Sequence, residues 1–234
     1  MYALILAGGR GERLRPLTDT IPKPMISVAE KPILFHQLKW LRSGGVTDVI
    51  FLVGHLSESI RDYFGDGSDI EIRISYSYED TPLGRGGAIK RGLGLIPDEE
   101  SVFVLNGDII CDHPAEDIVR HYKSMKQNNA NHMATIMAVP LMSPYGMLNI
   151  TETGIVSAFD EKTRLPNWIN GGVYIFDTEI RDFLPDVGDQ ETETFPGLSA
   201  QGRMSAVKSD FFWRSIDSFK DLSEAQDHLS GTIP

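Results

Sequence analysis

The residues with the densest chemical potential sit near the N-terminus. Gly8, Gly9 and Gly11 are interleaved with Arg10, Arg13 and Arg15, and Lys23 follows. Glycines let a backbone approach a ligand and turn its N–H groups toward an anion. Arginine holds phosphate with two parallel hydrogen bonds, and lysine acts as a point charge. Met1–Met25 carries four basic residues against two acidic ones, in a chain of net charge −11. A basic, glycine-rich stretch on an acidic protein is a candidate polyphosphate site. Two familiar phosphate motifs do not fit it. The dinucleotide fingerprint G-x-G-x-x-G begins at Gly9 but finds Leu14 at its third glycine, and Pro16, Pro22 and Pro24 prevent an immediate helix. The P-loop needs Gly-Lys-Ser/Thr, whereas Gly11 precedes Glu12 and Arg13. A plain surface loop explains three glycines and three arginines in eight residues poorly.

Two carboxylates stand at apparent strand ends. Asp108 closes Leu105-Asn106-Gly107-Asp108, and Asp217 closes Phe212-Trp213-Arg214-Ser215-Ile216-Asp217. Strand-end Asp residues are common Mg²⁺ ligands, since that ion takes one or two carboxylates and fills its shell with phosphate and water. The competing readings are an N-G-D turn for Asp108 and a favourable helix-start charge for Asp217. Glu161-Lys162, Tyr145-Gly146 and Asn170-Gly171-Gly172-Val173-Tyr174 are further polar or glycine-rich segments. Each also reads as surface or turn. Thr81-Pro82-Leu83-Gly84-Arg85-Gly86-Gly87-Ala88 is another, with Glu79 just before it.

Elements must position these residues. Tyr2–Ala7 carries no charge and reads as a buried parallel strand. Apolar runs recur at Val49–Val53, Ile70–Ser75, Val102–Leu105, Thr135–Val139 and Val173–Phe176. Helical stripes lie between them: Ile33, Leu34, Leu38 and Leu41, then Ala115, Ile118, Val119, Tyr122 and Met125. Ser57 reads as the cap of a short helix through Phe64, and Ser218 as the cap of a final helix with Phe219, Leu222, Ala225 and Leu229 on one face. Alternating strands and helices predict a mostly parallel sheet covered on both faces, with ligands beyond the strands' carboxyl ends. That is where Gly8–Gly11 and Gly107-Asp108 fall. Between about 130 and 176 the alternation weakens into short strands at Tyr145–Ile150, Ile155–Asp160 and Asn170–Phe176, and 186–200 reads as irregular chain.

Composition sets the limits. The chain has 234 residues, 41% hydrophobic and 24% charged, which suits one α/β domain or two small ones. One cysteine, Cys111, excludes an internal disulfide and fits a reducing cytoplasm. No apolar run approaches the roughly 20 residues of a membrane span, and the N-terminus lacks a signal-peptide pattern. Net charge −11 argues against nucleic acid or an anionic membrane as partner.

The stretch Leu6-Ala7-Gly8-Gly9-Arg10-Gly11-Glu12-Arg13-Leu14-Arg15-Pro16-Leu17-Thr18, followed by Pro22-Lys23-Pro24, resembles the signature of sugar-1-phosphate nucleotidyltransferases. The later segments extend the resemblance to nearly the whole chain. It implies a Rossmann-like three-layer α/β/α fold with a mostly parallel mixed sheet and a small sugar-binding β insertion. Residues 1–234 would be one domain: a nucleotide part to about 130, a sugar part at about 131–210 and a C-terminal helix at about 218–229. The resemblance implies Arg13, Lys23 and Lys162 as catalytic residues. It assigns Leu6, Ala7, Gly8, Gly9, Gly11, Arg13, Lys23, Glu79, Gly84 and Asp108 to the nucleotide. To the sugar it assigns Asn106, Gly146, Glu161, Lys162, Asn170 and Gly171, and to Mg²⁺ it assigns Asp108 and Asp217. The substrates would be an NTP, with GTP favoured because Glu79 can accept both guanine N1–H and N2–H, and a sugar 1-phosphate. Mannose 1-phosphate and a manno-heptose 1-phosphate are the nearest in look, because P-L-G-x-G-G-A-I is followed later by I-N-G-G-V-Y. Alternatives are a uridylyltransferase acting on N-acetylmuramate 1-phosphate or glucose 1-phosphate, and a catalytically inactive nucleotide-sugar sensor. A nicotinamide oxidoreductase is disfavoured by Leu14 and the prolines. The chain departs from the pattern at Arg85, where Thr is expected, and at Thr163 and Ser218. The oligomeric state stays open, a homo-oligomer included.

Overall fold

The computed structural model describes residues 1–9, 11–79, 81–97 and 101–231, so Arg10 lies outside the described residues. The first half runs β1 (Tyr2–Leu6), β2 (Ser27–Val28), β3 (Lys31–Pro32), α1 (Ile33–Ser43), β4 (Asp48–Val53), α2 (Ser57–Phe64), β5 (Arg73–Tyr78) and α3 (Gly84–Leu93). Next come β6 (Ser101–Asn106), β7 (Ile109–Cys111), α4 (Ala115–Asn128), β8 (Ala134–Met142), β9 (Met147–Ile150) and β10 (Val156–Asp160). The chain continues through β11 (Arg164–Asp177), α5 (Gln190–Glu193), α6 (Phe195–Ala200), β12 (Met204–Lys208), β13 (Trp213–Ser215) and α7 (Phe219–Leu229).

Seven strands form the central sheet in the order β12-β8-β11-β6-β1-β4-β5. Only β11 runs against its neighbours, β6 and β8; the other pairings are parallel. Side chains alternate across β1 as a pleated strand requires. Ala3 and Ile5 join one apolar layer with Leu34, Leu38 and Leu41 of α1, Ile60 of α2 and Ile118 of α4. Leu4 joins the opposite layer with Ile89 and Leu93 of α3 and Phe195 and Leu198 of α5–α6's side of the sheet. Burying each of the Leu, Ile and Phe side chains contributes about 1.5–3 kcal/mol. The expected mostly parallel mixed sheet in an α/β fold is what forms.

Several local expectations shift. The fifth strand begins at Arg73 rather than Ile70, because Gly67 at φ 83 and Glu71 at φ 57 turn the chain through Ser68–Ile70 first. Ser57 is the first residue of α2 rather than its cap; Leu56 takes that place without a side-chain hydrogen bond. Residues 84–93 form a helix despite four glycines, because tertiary packing overrides their poor propensity. Residues 186–200 hold two short helices, α5 and α6. Strands β8, β11 and β12 belong to the central sheet, and of the short strands between 130 and 176 only the β9–β10 hairpin lies outside it. Among the described residues no helix is long and apolar enough to cross a membrane.

The C-terminal helix is tied to the strand ends. Ser218 caps α7: its Oγ accepts the Asp221 N–H at 3.3 Å and donates to Asp221 Oδ2 at 2.7 Å, which in turn accepts the Asp217 N–H at 3.2 Å. This is a variant of the capping box, with Asp in place of Glu and the return bond taken from Asp217 N–H rather than from the cap residue itself. Phe219 is 53% exposed, so the buried face is Ala225 with Leu222 and Leu229 partly covered. Ser218→Ala should therefore destabilise the protein by about 0.5–2 kcal/mol, lowering Tm by roughly 1–8 °C for a chain of this size. Thermal unfolding followed by circular dichroism checks it; an unchanged Tm would mean that the cap is not needed.

Candidate active site

Two chain crossings place the site at the carboxyl edge of the sheet. Strands β1 and β6 lie side by side, with Leu6 opposite Asn106. Beyond them the backbones touch: Gly107 N–H donates to Leu6 O at 2.9 Å, and a Cβ on Gly107 would lie 2.4 Å from that oxygen. The β7–β13 ribbon then brings the C-terminal carboxylate alongside. Ser215 pairs with Ile109, and Ile216 N–H donates to Asp108 O at 2.9 Å. Asp108 and Asp217 thereby become neighbours although 109 positions separate them.

Lys23 occupies the point between them. Its Nζ donates to Asp108 Oδ2 at 2.5 Å and to Asp217 Oδ1 at 2.8 Å, with only 13% of the side chain exposed. Gly11 makes this approach possible. It adopts φ 60, and a Cβ there would lie 2.8 Å from Lys23 Cβ. Thr18 Oγ1 pins the turn by donating to Gly11 O at 2.9 Å. Arg13 reaches Asp217 Oδ1 at 2.8 Å while staying 76% exposed. Burial by itself would raise the Asp217 carboxyl pKa. The Lys23 hydrogen bond and charge, the Ser215 hydroxyl and the Arg13 charge outweigh it and hold the group below the ordinary Asp range, so it is ionised at neutral pH. Arg15 pairs instead with Asp19 at 3.2 Å, both well exposed.

The carboxylate pair fits a hard divalent cation. Both reach one positive charge already, and Asp108 Oδ1 is buried with no hydrogen-bond partner among the described residues. Among those residues no three His, Cys, Asp or Glu side chains cluster for a metal, so most of the coordination shell would fall to phosphate oxygens and water.

A cavity of about 340 Å³ opens beside the cluster, lined by Leu6, Gly8, Gly9, Lys23, Glu79, Gly84, Arg85, Asn106 and Asp108 among others. The structure thus gathers eight of the nucleotide and sugar candidates around one space. Ala7 is 1% exposed. Glu79 Oε2 accepts the Leu83 N–H at 3.1 Å, so this carboxylate also shapes its own loop.

The remaining sugar candidates lie apart from that space. Lys162, at φ 53, borders a second cavity of about 470 Å³ with Met142, Ser143, Arg214, Lys220 and Asp221. Glu161 is exposed beside it. Gly146 lies against Phe159, whose ring a Cβ would meet at 2.6 Å. Gly171 is held inside the fold: its carbonyl accepts Trp213 Nε1–H at 2.8 Å, and a Cβ would strike Met137 O at 2.7 Å. Asn170 spends its amide within the protein, donating to Tyr174 OH at 2.8 Å and Glu191 Oε1 at 3.0 Å. Sequence reasoning missed Asp189 and Glu191. Their only sequence signal was an acidic run, Asp189 to Glu193, which reads as solvated surface.

Comparison with known proteins fits this arrangement. Mannose-1-phosphate guanyltransferase beta-A of Xenopus laevis is 39% identical over 229 residues, covering 95% of this chain and 62% of its own length. The catalytic subunit beta of mannose-1-phosphate guanylyltransferase from Dictyostelium discoideum is 37% identical over 238 residues, 99% of this chain and 63% of its own. The chain thus spans less than two thirds of these relatives. Among solved structures, HddC from Yersinia pseudotuberculosis superposes with a TM-score of 0.75 at 26% identity, covering 97% of this chain and 99% of that one. HddC complexed with GMP-PN gives a TM-score of 0.73 at 25% identity, over 97% and 99%. The family model described as "Nucleotidyl transferase" matches residues 2–231, and the chain belongs to that family.

Proposed function

We propose that the chain is a sugar-1-phosphate guanylyltransferase: GTP and a sugar 1-phosphate give a GDP-sugar and pyrophosphate. The observation that carries this is Lys23 bridging Asp108 and Asp217 at the mouth of a glycine-lined cavity. The mannose-1-phosphate guanylyltransferases and the GMP-PN complex of HddC support the choice of base. Mannose 1-phosphate or a manno-heptose 1-phosphate is the preferred sugar substrate. The nucleotide part is assigned to about 1–130 and the sugar part to about 131–210. A reducing cytoplasm suits the single Cys111.

In this reading a phosphate oxygen of the sugar phosphate attacks the α-phosphorus of GTP in line, and pyrophosphate leaves. That oxygen is ionised near neutral pH, since a phosphomonoester's second pKa is about 6, so no general base is required. The protein's contribution is position and charge. Arg13 and Lys23 hold the triphosphate, with the Gly8-Gly9 backbone close to it. Lys162 holds the attacking phosphate, while Glu161 and Asn170 face sugar hydroxyls. Asp108 and Asp217 hold Mg²⁺, which supplies charge neutralisation on the phosphate oxygens.

Three outcomes follow. Asp108→Asn should lower kcat by at least about 100-fold, and chelation with EDTA should stop turnover; full activity of the variant would remove Asp108 from the site. Lys162→Ala should raise the KM for sugar phosphate while calorimetry finds GTP affinity nearly unchanged, and an equal loss of GTP affinity would contradict the assignment. The NTP preference by kcat/KM should be GTP over UTP over ATP. Glu79 offers the guanine edge acceptors that meet two donors, uracil meets them with one, and adenine N1 meets negative charge. Preference for UTP in the wild type would end the guanylyl assignment.

A further inference from the structure

The N-terminal turn of α3 is sewn to the segment before α5 by contacts with no room for side chains. A Cβ on Gly84 would lie 2.4 Å from Gly188 O, on Gly86 2.8 Å from Pro185 Cγ, and on Gly87 2.4 Å from Asp186 O. Gly86 N–H donates to Gly188 O at 2.9 Å, and Gly188 N–H donates to Leu83 O at 2.8 Å. Lys90 Nζ adds a bond to Leu184 O at 3.0 Å and an ion pair with Asp186 at 2.7 Å. The glycines of this turn are thus required by the neighbouring backbone.

Arg85 stands on that seam. Its Nε and Nη2 reach Asp189 Oδ2 at 2.8 and 2.6 Å, and Nη1 donates to Glu191 Oε1 at 2.8 Å. The same Glu191 oxygen accepts from Asn170 Nδ2 at 3.0 Å and from Tyr174 OH at 3.2 Å. Burial pushes the Tyr174 hydroxyl pKa up, which keeps its proton in place for that bond. Asn170 Oδ1 accepts the Gly172 N–H at 2.9 Å, so the amide is held from both ends. Two carboxylates more than neutralise the one guanidinium, and its Nε and Nη1 already donate to them. Little positive charge remains for a phosphate.

We propose that Arg85 is a positioning residue for the sugar substrate: standing on the nucleotide-side loop, it fixes Asn170 through Glu191 and does not hold phosphate. This rests on the reading of Asn170 as a sugar contact. It explains what the departure from Thr achieves at this position, since a Thr side chain would reach neither carboxylate.

The test is steady-state kinetics with GTP and mannose 1-phosphate on the wild type, Arg85→Gln, Glu191→Gln, Arg85→Lys and the Arg85→Gln/Glu191→Gln double variant. Arg85→Gln should raise the KM for the sugar phosphate about tenfold, the scale of a lost hydrogen bond to a charged group, with the KM for GTP within about twofold. Glu191→Gln should do the same, and the double variant should be no worse than the worse single one, because both break one network. Arg85→Lys should recover part of the loss. A rise in the KM for GTP with the sugar phosphate unaffected would make Arg85 a phosphate contact and overturn the proposal, as would additive losses in the double variant. Melting curves identify a variant that fails to fold; should Arg85→Gln do so, Glu191→Gln, which leaves Arg85 paired with Asp189, decides alone. Wild-type protein inactive with every NTP and sugar 1-phosphate pair defeats the proposed function and this inference with it, whereas active wild type with indifferent variants defeats this inference only.

Discussion

Two carboxylates close enough to share one cation repel each other unless a cation is supplied. Asp108 and Asp217 meet that constraint through Lys23, and much of the local structure serves it. The parallel pairing of β1 with β6 carries the glycine loop to Asp108. The β7–β13 ribbon carries Asp217 to the same point. Gly11 in its left-handed conformation lets the Lys23 stem pass underneath, and the Ser218 cap holds the helix start just beyond Asp217. A cluster of Leu14, Ile26, Ile110, Ile216 and Ala225 lies under this meeting of segments and gives it a small core of its own. The result is a site whose charge balance is set before any substrate arrives, in keeping with chemistry that asks for position and neutralisation rather than covalent help.

Close backbone packing is the second recurring device. At Gly107, Gly84, Gly87 and Gly171 a methyl group would collide with a neighbouring carbonyl oxygen. Of these, Gly84 and Gly107 line the main cavity. The α3 turn and the segment before α5 act as one unit, and Arg85 extends that unit to β11 through Glu191. By contrast the β9–β10 hairpin keeps Leu148, Ile150, Val156 and Phe159 largely exposed, and a two-stranded hairpin has little stability of its own. Of the residues assigned to the sugar, Gly146, Glu161 and Lys162 lie on or beside this hairpin, whereas Asn106, Asn170 and Gly171 lie on strands of the central sheet.

The sequence by itself determined what short-range physics controls. The uncharged Tyr2–Ala7 run must be buried, and it became the central strand between β6 and β4. Helical spacing at Ala115, Ile118 and Tyr122 set the buried face of α4, and Ser218 with Asp221 set the start of α7. The glycine-arginine loop and the two strand-end carboxylates were legible because their residue types are unusual for their places. Tertiary structure alone decided the rest. The helix at 84–93 runs against local propensity, and its glycines are pressed against the backbone of the segment before α5. The strand composition of Thr135–Val139 and Val173–Phe176 could not say whether they joined the main sheet or an insertion, since register depends on partners distant in sequence. The ion pairs that link Arg85 to Glu191, 106 positions away, and Lys23 to Asp217, 194 positions away, join residues that no local pattern connects. Charge pairing is non-directional along the chain, and only the folded backbone brings its partners within reach.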